Sequence, residues 1–151
     1  MTLFQPLDDK TPMAGRLAMG VEYDGSAYCG WQRLKHAPSV QEELERSLSR
    51  VAGQQVKVHA SGRTDSGVHA TRQIVHFDAP VPRSEKAWVF GVNANLARDV
   101  AVHWVREVPD DFHARFKALA RRYRYLILNQ PSRPVLERAN VTWCRDSLDA
   151  D

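Results

Sequence analysis

The sequence predicts an α+β domain with the ferredoxin-like order β-α-β-β-α-β, a split βαβ sheet with helices on one face. Three patterns support this fold class. Residues 17–23 alternate between large apolar and small or polar side chains, the period of a strand with one buried face. Residues 40–52 carry an apolar stripe at helical spacing. Two further alternating runs, 55–61 and 72–78, flank a loop that contains glycine.

The first helix has clear start and stop signals. Ser39 and Glu42 form a capping box, and Gly53 follows the last apolar position. The helix is therefore expected over 40–52, between the first strand and the run 55–61.

The second half of the pattern is predicted in the same way. Ser84 caps a second helix in which Trp88, Val92 and Leu96 face the core, and residues 100–104 resume a strand period. Two more strands are expected, one at 122–127 and one at 141–144. Trp31 and Trp104, like Trp88, are expected to be packing residues.

Composition limits the class of protein. The chain has 151 residues, 43% hydrophobic and 26% charged, which suits one ordinary core. Residues 1–15 lack periodicity and are expected to be a flexible segment before a folded subdomain at 16–146. The sequence has no signal pattern and no apolar run of about 18 residues, so we expect a cytoplasmic protein without a membrane partner.

No metal or cofactor site is predicted. Cys29 and Cys144 lie far apart and lack C-x-x-C spacing, and the six histidines form no metal-binding motif. Both cysteines are interpreted as ordinary thiols.

Positive charge is concentrated locally. The net charge is +3 and the pI about 9.1. A single ten-residue stretch contains five basic residues: Arg115, Lys117, Arg121, Arg122 and Arg124. Such a run is either a solvated face or a binding site for a phosphate backbone. Tyr123 and Tyr125 within it favour RNA, because aromatic rings beside arginine stack on unpaired bases.

The loop Gly62–Ala70 between two predicted strands is the main candidate site. Asp65-Ser66-Gly67 is what a plain turn requires, with Asp bonding its own backbone and Gly supplying positive φ. Loops that a scaffold presents in this way also often carry function.

The same loop resembles the signature of the TruA-type tRNA pseudouridine synthases: Gly62-Arg63-Thr64-Asp65 followed by Gly67-Val68-His69. Other blocks resemble the family in its order, and the resemblance runs from about Arg16 to about Asp149. These blocks are residues 21–26, 30–33, 39–42, 91–96, 110–115 and 121–125. Several agreeing blocks are far more specific than one short motif.

The resemblance implies a fold, a reaction and partners. The fold is the N-terminal subdomain of a pseudouridine synthase. The reaction converts uridine to pseudouridine in the anticodon stem-loop of tRNA, at positions 38 to 40, without a cofactor. The partners are tRNA and a second copy of the full-length protein.

The resemblance also assigns site residues. Asp65 falls on the catalytic aspartate, as a nucleophile or a base. Tyr123 matches an active-site tyrosine, although by itself it resembles a core aromatic. Arg63 is a candidate for bracing the gap left by the flipped nucleotide; a phosphate contact or an ion pair with Asp24 or Asp78 is the alternative. The remaining RNA-binding candidates are Arg33, His69, His113, Arg115, Arg121, Arg122 and Arg124.

Members of this family are roughly twice as long and have two similar subdomains. We therefore expect this chain to be the N-terminal half, with 147–151 as the start of the second subdomain. On that expectation the chain alone has little or no activity, and the competing hypothesis is an RNA-binding half domain without catalysis.

Overall fold

The computed structural model describes residues 5–149. The chain divides into two compact units, Met1–Leu119 and Ala120–Asp151.

The described part of the first unit has a four-stranded antiparallel sheet. Its strands are β1 (Pro12–Tyr23), β2 (His59–Ala60), β3 (Ala70–Ser84) and β4 (Val100–Glu107). The spatial order is β2-β3-β1-β4, so the two longest strands pair in the centre. With helix α1 (Val40–Ala52) after β1 and helix α2 (Val92–Asn95) after β3, the predicted ferredoxin-like fold is confirmed.

The core lies where the sheet meets the helices. Alternate residues of β1 are fully buried and face buried residues of β3, as in the pair Met19 and Val75. Leu44 and Leu48 of α1 belong to the same buried cluster. The period-two pattern of β1 and the helical stripe of α1 therefore meet in one apolar layer.

The predicted helix signals are confirmed. The Ser39 hydroxyl accepts a hydrogen bond from the Glu42 amide (3.2 Å), and Gly53 ends α1 with φ of 70°. The Ser84 hydroxyl accepts from the Ala87 amide (3.1 Å). After it the chain first makes a wide π-helical turn, Ala87–Gly91, and only then α2.

Three predicted tryptophan positions are confirmed as packing residues. Trp31 and Trp88 are buried. Trp104 lies against Gly20, where a Cβ would come within 2.3 Å of its indole nitrogen. Only glycine at position 20 allows this ring to rest on β1.

The prediction of a flexible segment at 1–15 is wrong for residues 12–15. β1 begins at Pro12, which pairs with Ser84, and a register shift occurs between Met13 and Gly15. Gly15 has φ of 72°. Because this bulge breaks the alternation of side chains, the sequence pattern reveals only the later part of the strand.

The prediction of a strand at 55–61 is too long. Only His59 and Ala60 pair with β3. The Val56 amide donates to the Ser49 hydroxyl (2.9 Å), and the Val58 amide donates to the Glu45 carboxylate (3.0 Å). Side chains of α1 thus accept hydrogen bonds from amides that, in a strand, would donate to the neighbouring strand.

The second unit contains a small parallel pair, β5 (Ile127–Asn129) and β6 (Thr142–Cys144). The predicted last strand is confirmed apart from its first residue. The predicted strand at 122–127 is wrong except at its end, because residues 122–126 are irregular and their side chains are exposed. Their alternation therefore marks no buried face within this unit.

In the part of the chain that the structure describes, no helix has the length and apolar character needed to cross a membrane. Cys29 and Cys144 are free thiols.

A histidine cluster joins the segment after β4 to the sheet. The His76 ring is buried, with 2% exposed, and its Nδ1 accepts a hydrogen bond from the Ala114 amide (3.1 Å). The rings of His59 and His113 lie 4.9 and 4.6 Å from it, centre to centre. Burial, and then His113 and His59, lower the pKa of His76 to about 4.

This cluster predicts a loss of stability in mild acid. The unfolded chain binds a proton at His76 below about pH 6.5, whereas the folded chain binds this proton only below about pH 4. Between pH 7 and pH 5 the free energy of unfolding should fall by about 2 kcal/mol from this residue. Urea unfolding at both pH values measures the change.

His76→Asn is the matched control, because the amide oxygen still accepts from Ala114 but does not titrate. Its loss of stability between the two pH values should be smaller than that of the unchanged protein. Equal losses would show that His76 is not the titrating group.

Candidate active site

Asp65 lies on an exposed loop, residues 61–69, that connects β2 to β3. The first residue of the loop keeps one hydrogen bond to the sheet, from the Ser61 amide to the Ile74 carbonyl (2.8 Å). Arg63 and Asp65 both point their side chains to solvent. The sheet therefore carries a carboxylate and a guanidinium group two residues apart on one rigid connection.

The residues before Asp65 are held firmly. The hydroxyl groups of Thr64 and Tyr23 lie 2.8 Å apart, and the Thr64 carbonyl accepts from the Trp31 amide (2.9 Å). The buried Gln73 amide donates to the Gly62 carbonyl (2.7 Å). Bonds from both side chains and backbone thus fix the segment that precedes Asp65.

The residues after Asp65 form a turn. The Val68 amide donates to the Asp65 carbonyl (3.2 Å), and Gly67 has the positive φ of 78° that such a turn needs. The Gly67 amide also approaches the Tyr28 carbonyl (3.4 Å). Nδ1 of His69 accepts from the Gly25 amide (2.9 Å), which ties the end of the loop to the end of β1.

The loop rests on residues 24–31, which we name the platform. The platform begins with a 3-10 turn, Gly25–Ala27, capped by the Asp24 carboxylate. The Asp24 amide donates to the Asp99 carbonyl (2.9 Å), and the Tyr28 hydroxyl donates to the Asp99 carboxylate (2.7 Å). Burial and this bond raise the pKa of Tyr28, so it remains a donor.

The platform is also bonded to the start of α1. The Cys29 amide donates to the Pro38 carbonyl (2.8 Å), and the Gln41 amide donates to the Trp31 carbonyl (2.9 Å). The rigid elements of the fold therefore hold the platform, which in turn holds the loop.

Two glycines let the backbones of platform and loop approach each other. A Cβ on Gly25 would lie 2.1 Å from the Val68 carbonyl oxygen, and one on Gly30 would lie 2.8 Å from the Thr64 carbonyl oxygen. Gly30 also has φ of 92°. Any side chain at either position would push the loop away.

The Asp65 carboxylate makes no hydrogen bond or ion pair with residues 5–149, and the same holds for the Arg63 guanidinium. The alternative internal partners of Arg63 are already engaged. Asp24 accepts from the Ser26 amide (2.9 Å), and Asp78 pairs with Arg16 (2.8 Å). Both groups of the loop are thus available to a molecule outside the fold.

The other candidates in this unit have structural partners. Arg33 pairs with Glu45 (2.8 Å), a carboxylate that is only 5% exposed. The His113 ring stacks on Phe116 (4.2 Å between centres), and burial together with His59 lowers its pKa. Arg115 is exposed and donates its amide to His113 Nδ1 (3.2 Å).

Four candidates belong to the second unit and are exposed there: Arg121, Arg122, Tyr123 and Arg124. Tyr123 is 72% exposed, so it is not a core aromatic of that unit. Across residues 5–149, no three His, Cys, Asp or Glu side chains are grouped so as to hold a metal ion.

A family model described as tRNA pseudouridine synthase matches residues 19–117. The chain belongs to this family. The curated tRNA pseudouridine synthase A of Escherichia coli O1:K1 / APEC is 53% identical over 144 residues, which cover 95% of this chain and 53% of that protein. The protein of the same name from Enterobacter sp. (strain 638) is 57% identical over 136 residues, covering 90% and 50%.

The family resemblance stated from the motifs is therefore confirmed. The chain spans about half the length of these curated relatives. The region matched by the synthase family model contains both the Asp65 loop and the platform, while Tyr123 and the arginines beside it lie outside that region.

The sequence patterns did not predict that the platform supports the Asp65 loop. A weak signal was available, because Gly25 and Gly30 interrupt a short stretch that also contains buried Tyr28 and Trp31. Spacing cannot reveal which backbone each glycine faces, since the contact joins segments about forty residues apart in the sequence.

The close contact predicts that Gly25→Ala displaces the loop. The added methyl group meets a backbone oxygen that cannot rotate away, so the free energy of unfolding should fall by about 2 kcal/mol. Gly30→Ala should also lower it, because a milder clash, at 2.8 Å, is combined with the strain of positive φ. Urea unfolding measures both.

Gly53→Ala is the matched control for Gly30→Ala, because Gly53 has φ of 70° and open space around its Cβ position. It should cost only the strain, about 1 kcal/mol. If Gly53→Ala and Gly30→Ala cost the same, the platform does not support the loop through this contact.

Proposed function

We propose that this chain carries the catalytic aspartate of a tRNA pseudouridine synthase, and that Asp65 is that residue. The reaction would convert uridine to pseudouridine in the anticodon stem-loop of tRNA, at positions 38 to 40. The observation that carries the proposal is an exposed carboxylate with no partner among the described residues, on a loop held from both sides, in a member of this family.

The reaction needs one well-placed carboxylate and no cofactor. The bond between C1′ of the ribose and N1 of uracil breaks, the base turns, and C1′ joins C5. The C5 proton leaves and N1 gains a proton, so the atoms balance. Asp65 acts either as a nucleophile towards the nucleoside or as a base for a ribose proton.

Arg63 would serve the same nucleotide. The uridine lies in a stacked stem-loop and has to leave it, which costs a few kcal/mol. A guanidinium group two residues from the carboxylate can either occupy the gap or bind a phosphate beside it. Its side chain has no partner in residues 5–149, which leaves it available for either role.

The exposed basic residues would hold the tRNA. Arg122 and Arg124 are exposed together with Tyr123 in the second unit, a combination suited to phosphates and unpaired bases. We further propose Tyr123 as the active-site tyrosine, a homodimer for the full-length protein, and a cytoplasmic location.

A second candidate function is an RNA-binding half domain without turnover. It is favoured by the exposure of Asp65. A carboxylate that is open to water lacks the preorganised surroundings, closed to water, on which catalysis depends.

The deciding experiment measures pseudouridine in unmodified tRNA. The chain is assayed alone and fused to the C-terminal half of the Escherichia coli relative. We expect activity in the fusion and little in the chain alone. Asp65→Ala and Asp65→Asn should both abolish it in the fusion, because neither provides a carboxylate.

Folding and tRNA binding are the controls. Both should be nearly unchanged in the Asp65 variants, since this side chain has no partner in residues 5–149. Activity that survives Asp65→Asn would refute the assignment of Asp65. A fusion that binds tRNA but never forms pseudouridine would leave the RNA-binding domain as the function.

Binding to tRNA should depend on the exposed arginines. Arg122→Ala together with Arg124→Ala should weaken binding to all RNA sequences alike, and reduce the slope of log affinity against log salt by about two. Fluorescence titration at several salt concentrations measures this slope. Replacing both residues by lysine retains the charge and should restore it; an unchanged slope in the alanine variant would place the RNA elsewhere.

A further inference from the structure

The position of the residues that follow Asp65 depends mainly on one hydrogen bond. Before Asp65, three contacts of 2.7 to 2.9 Å fix Gly62 and Thr64. After it, the Gly67 amide lies 3.4 Å from its acceptor on the platform. The bond from the Gly25 amide to His69 Nδ1, at 2.9 Å, is the shorter of these two contacts with the platform.

We propose that His69 is a positioning residue: its Nδ1 holds the Asp65 loop to the platform by accepting the Gly25 amide hydrogen. This inference rests on the proposed function, because it assigns His69 to the placement of Asp65 rather than to contact with RNA.

The burial of Gly25 makes this bond important. Gly25 is buried, and its position leaves no room for a side chain against the Val68 carbonyl. A buried amide that loses its acceptor is costly, and here it can regain one only if the chain moves. Loss of the His69 acceptor would therefore shift the turn that follows Asp65.

Whether Nδ1 of His69 carries a hydrogen decides which partner it is bonded to. Nδ1 of His69 also lies 3.1 Å from the Asp24 carboxylate. With a lone pair, Nδ1 accepts from Gly25; with a hydrogen, it donates to Asp24 and Gly25 loses its acceptor. The two bonds exclude each other, and only the first connects the loop to the platform backbone.

Two variants separate this role from simple packing. In His69→Asn, the amide oxygen takes the place of Nδ1 and accepts from Gly25. In His69→Phe, a ring of similar size remains but the acceptor is lost. Hydrogen exchange measures the protection of the Gly25 amide and of residues 64–68 in the 151-residue chain, independently of catalysis.

We expect His69→Phe to lower the protection of the Gly25 amide by about tenfold or more, and His69→Asn to preserve it within about threefold. In the active fusion, His69→Phe should lower kcat by about tenfold or more while KM for tRNA stays within about twofold. His69→Asn should restore kcat.

Unchanged protection of Gly25 in His69→Phe would overturn the proposal. So would a rise in KM with kcat unchanged, because that result would place His69 against the RNA. If the unchanged fusion forms no pseudouridine, the proposed function fails, while the protection of Gly25 in the two variants still decides whether His69 holds the loop.

Discussion

The close approach of two backbone segments is the constraint on which this site depends. The loop that carries Asp65 lies directly against the platform at residues 24–31, with no side chain between them at Gly25 or Gly30. A backbone oxygen cannot rotate away as a side chain can, so this contact leaves the loop little room to move. The proposed catalytic group needs such support, since its own side chain has no partner in residues 5–149 to hold it.

The platform connects the site to the fold. It lies at the end of β1, is bonded to Asp99 before β4, and leads into α1. The loop itself leaves β2 and enters β3. Four strands and helix α1 of the ferredoxin-like fold are therefore adjacent to the platform or to the loop that carries Asp65. Rigid elements around an exposed loop are the arrangement in which scaffolds present chemistry.

Polar groups in the first unit divide between structure and the proposed chemistry. Arg16 with Asp78, Arg33 with Glu45, and the buried ring of His76 all have internal partners. Arg63 and Asp65 have none in residues 5–149. The charges that are paired inside the fold hold its segments together, whereas the charges that face solvent at the loop are available to the proposed RNA substrate.

The sequence alone determined the fold class, the capped helix α1, the buried faces of β1 and β3, and the family, because each depends on local periodicity or on short motifs. Tertiary structure decided the extent of the strands: a bulge at Gly15 concealed the start of β1, and α1 side chains replaced the ladder of β2. It also decided the support of Asp65. The platform and the loop are distant in sequence, and only the folded structure shows which backbone segment lies against each glycine.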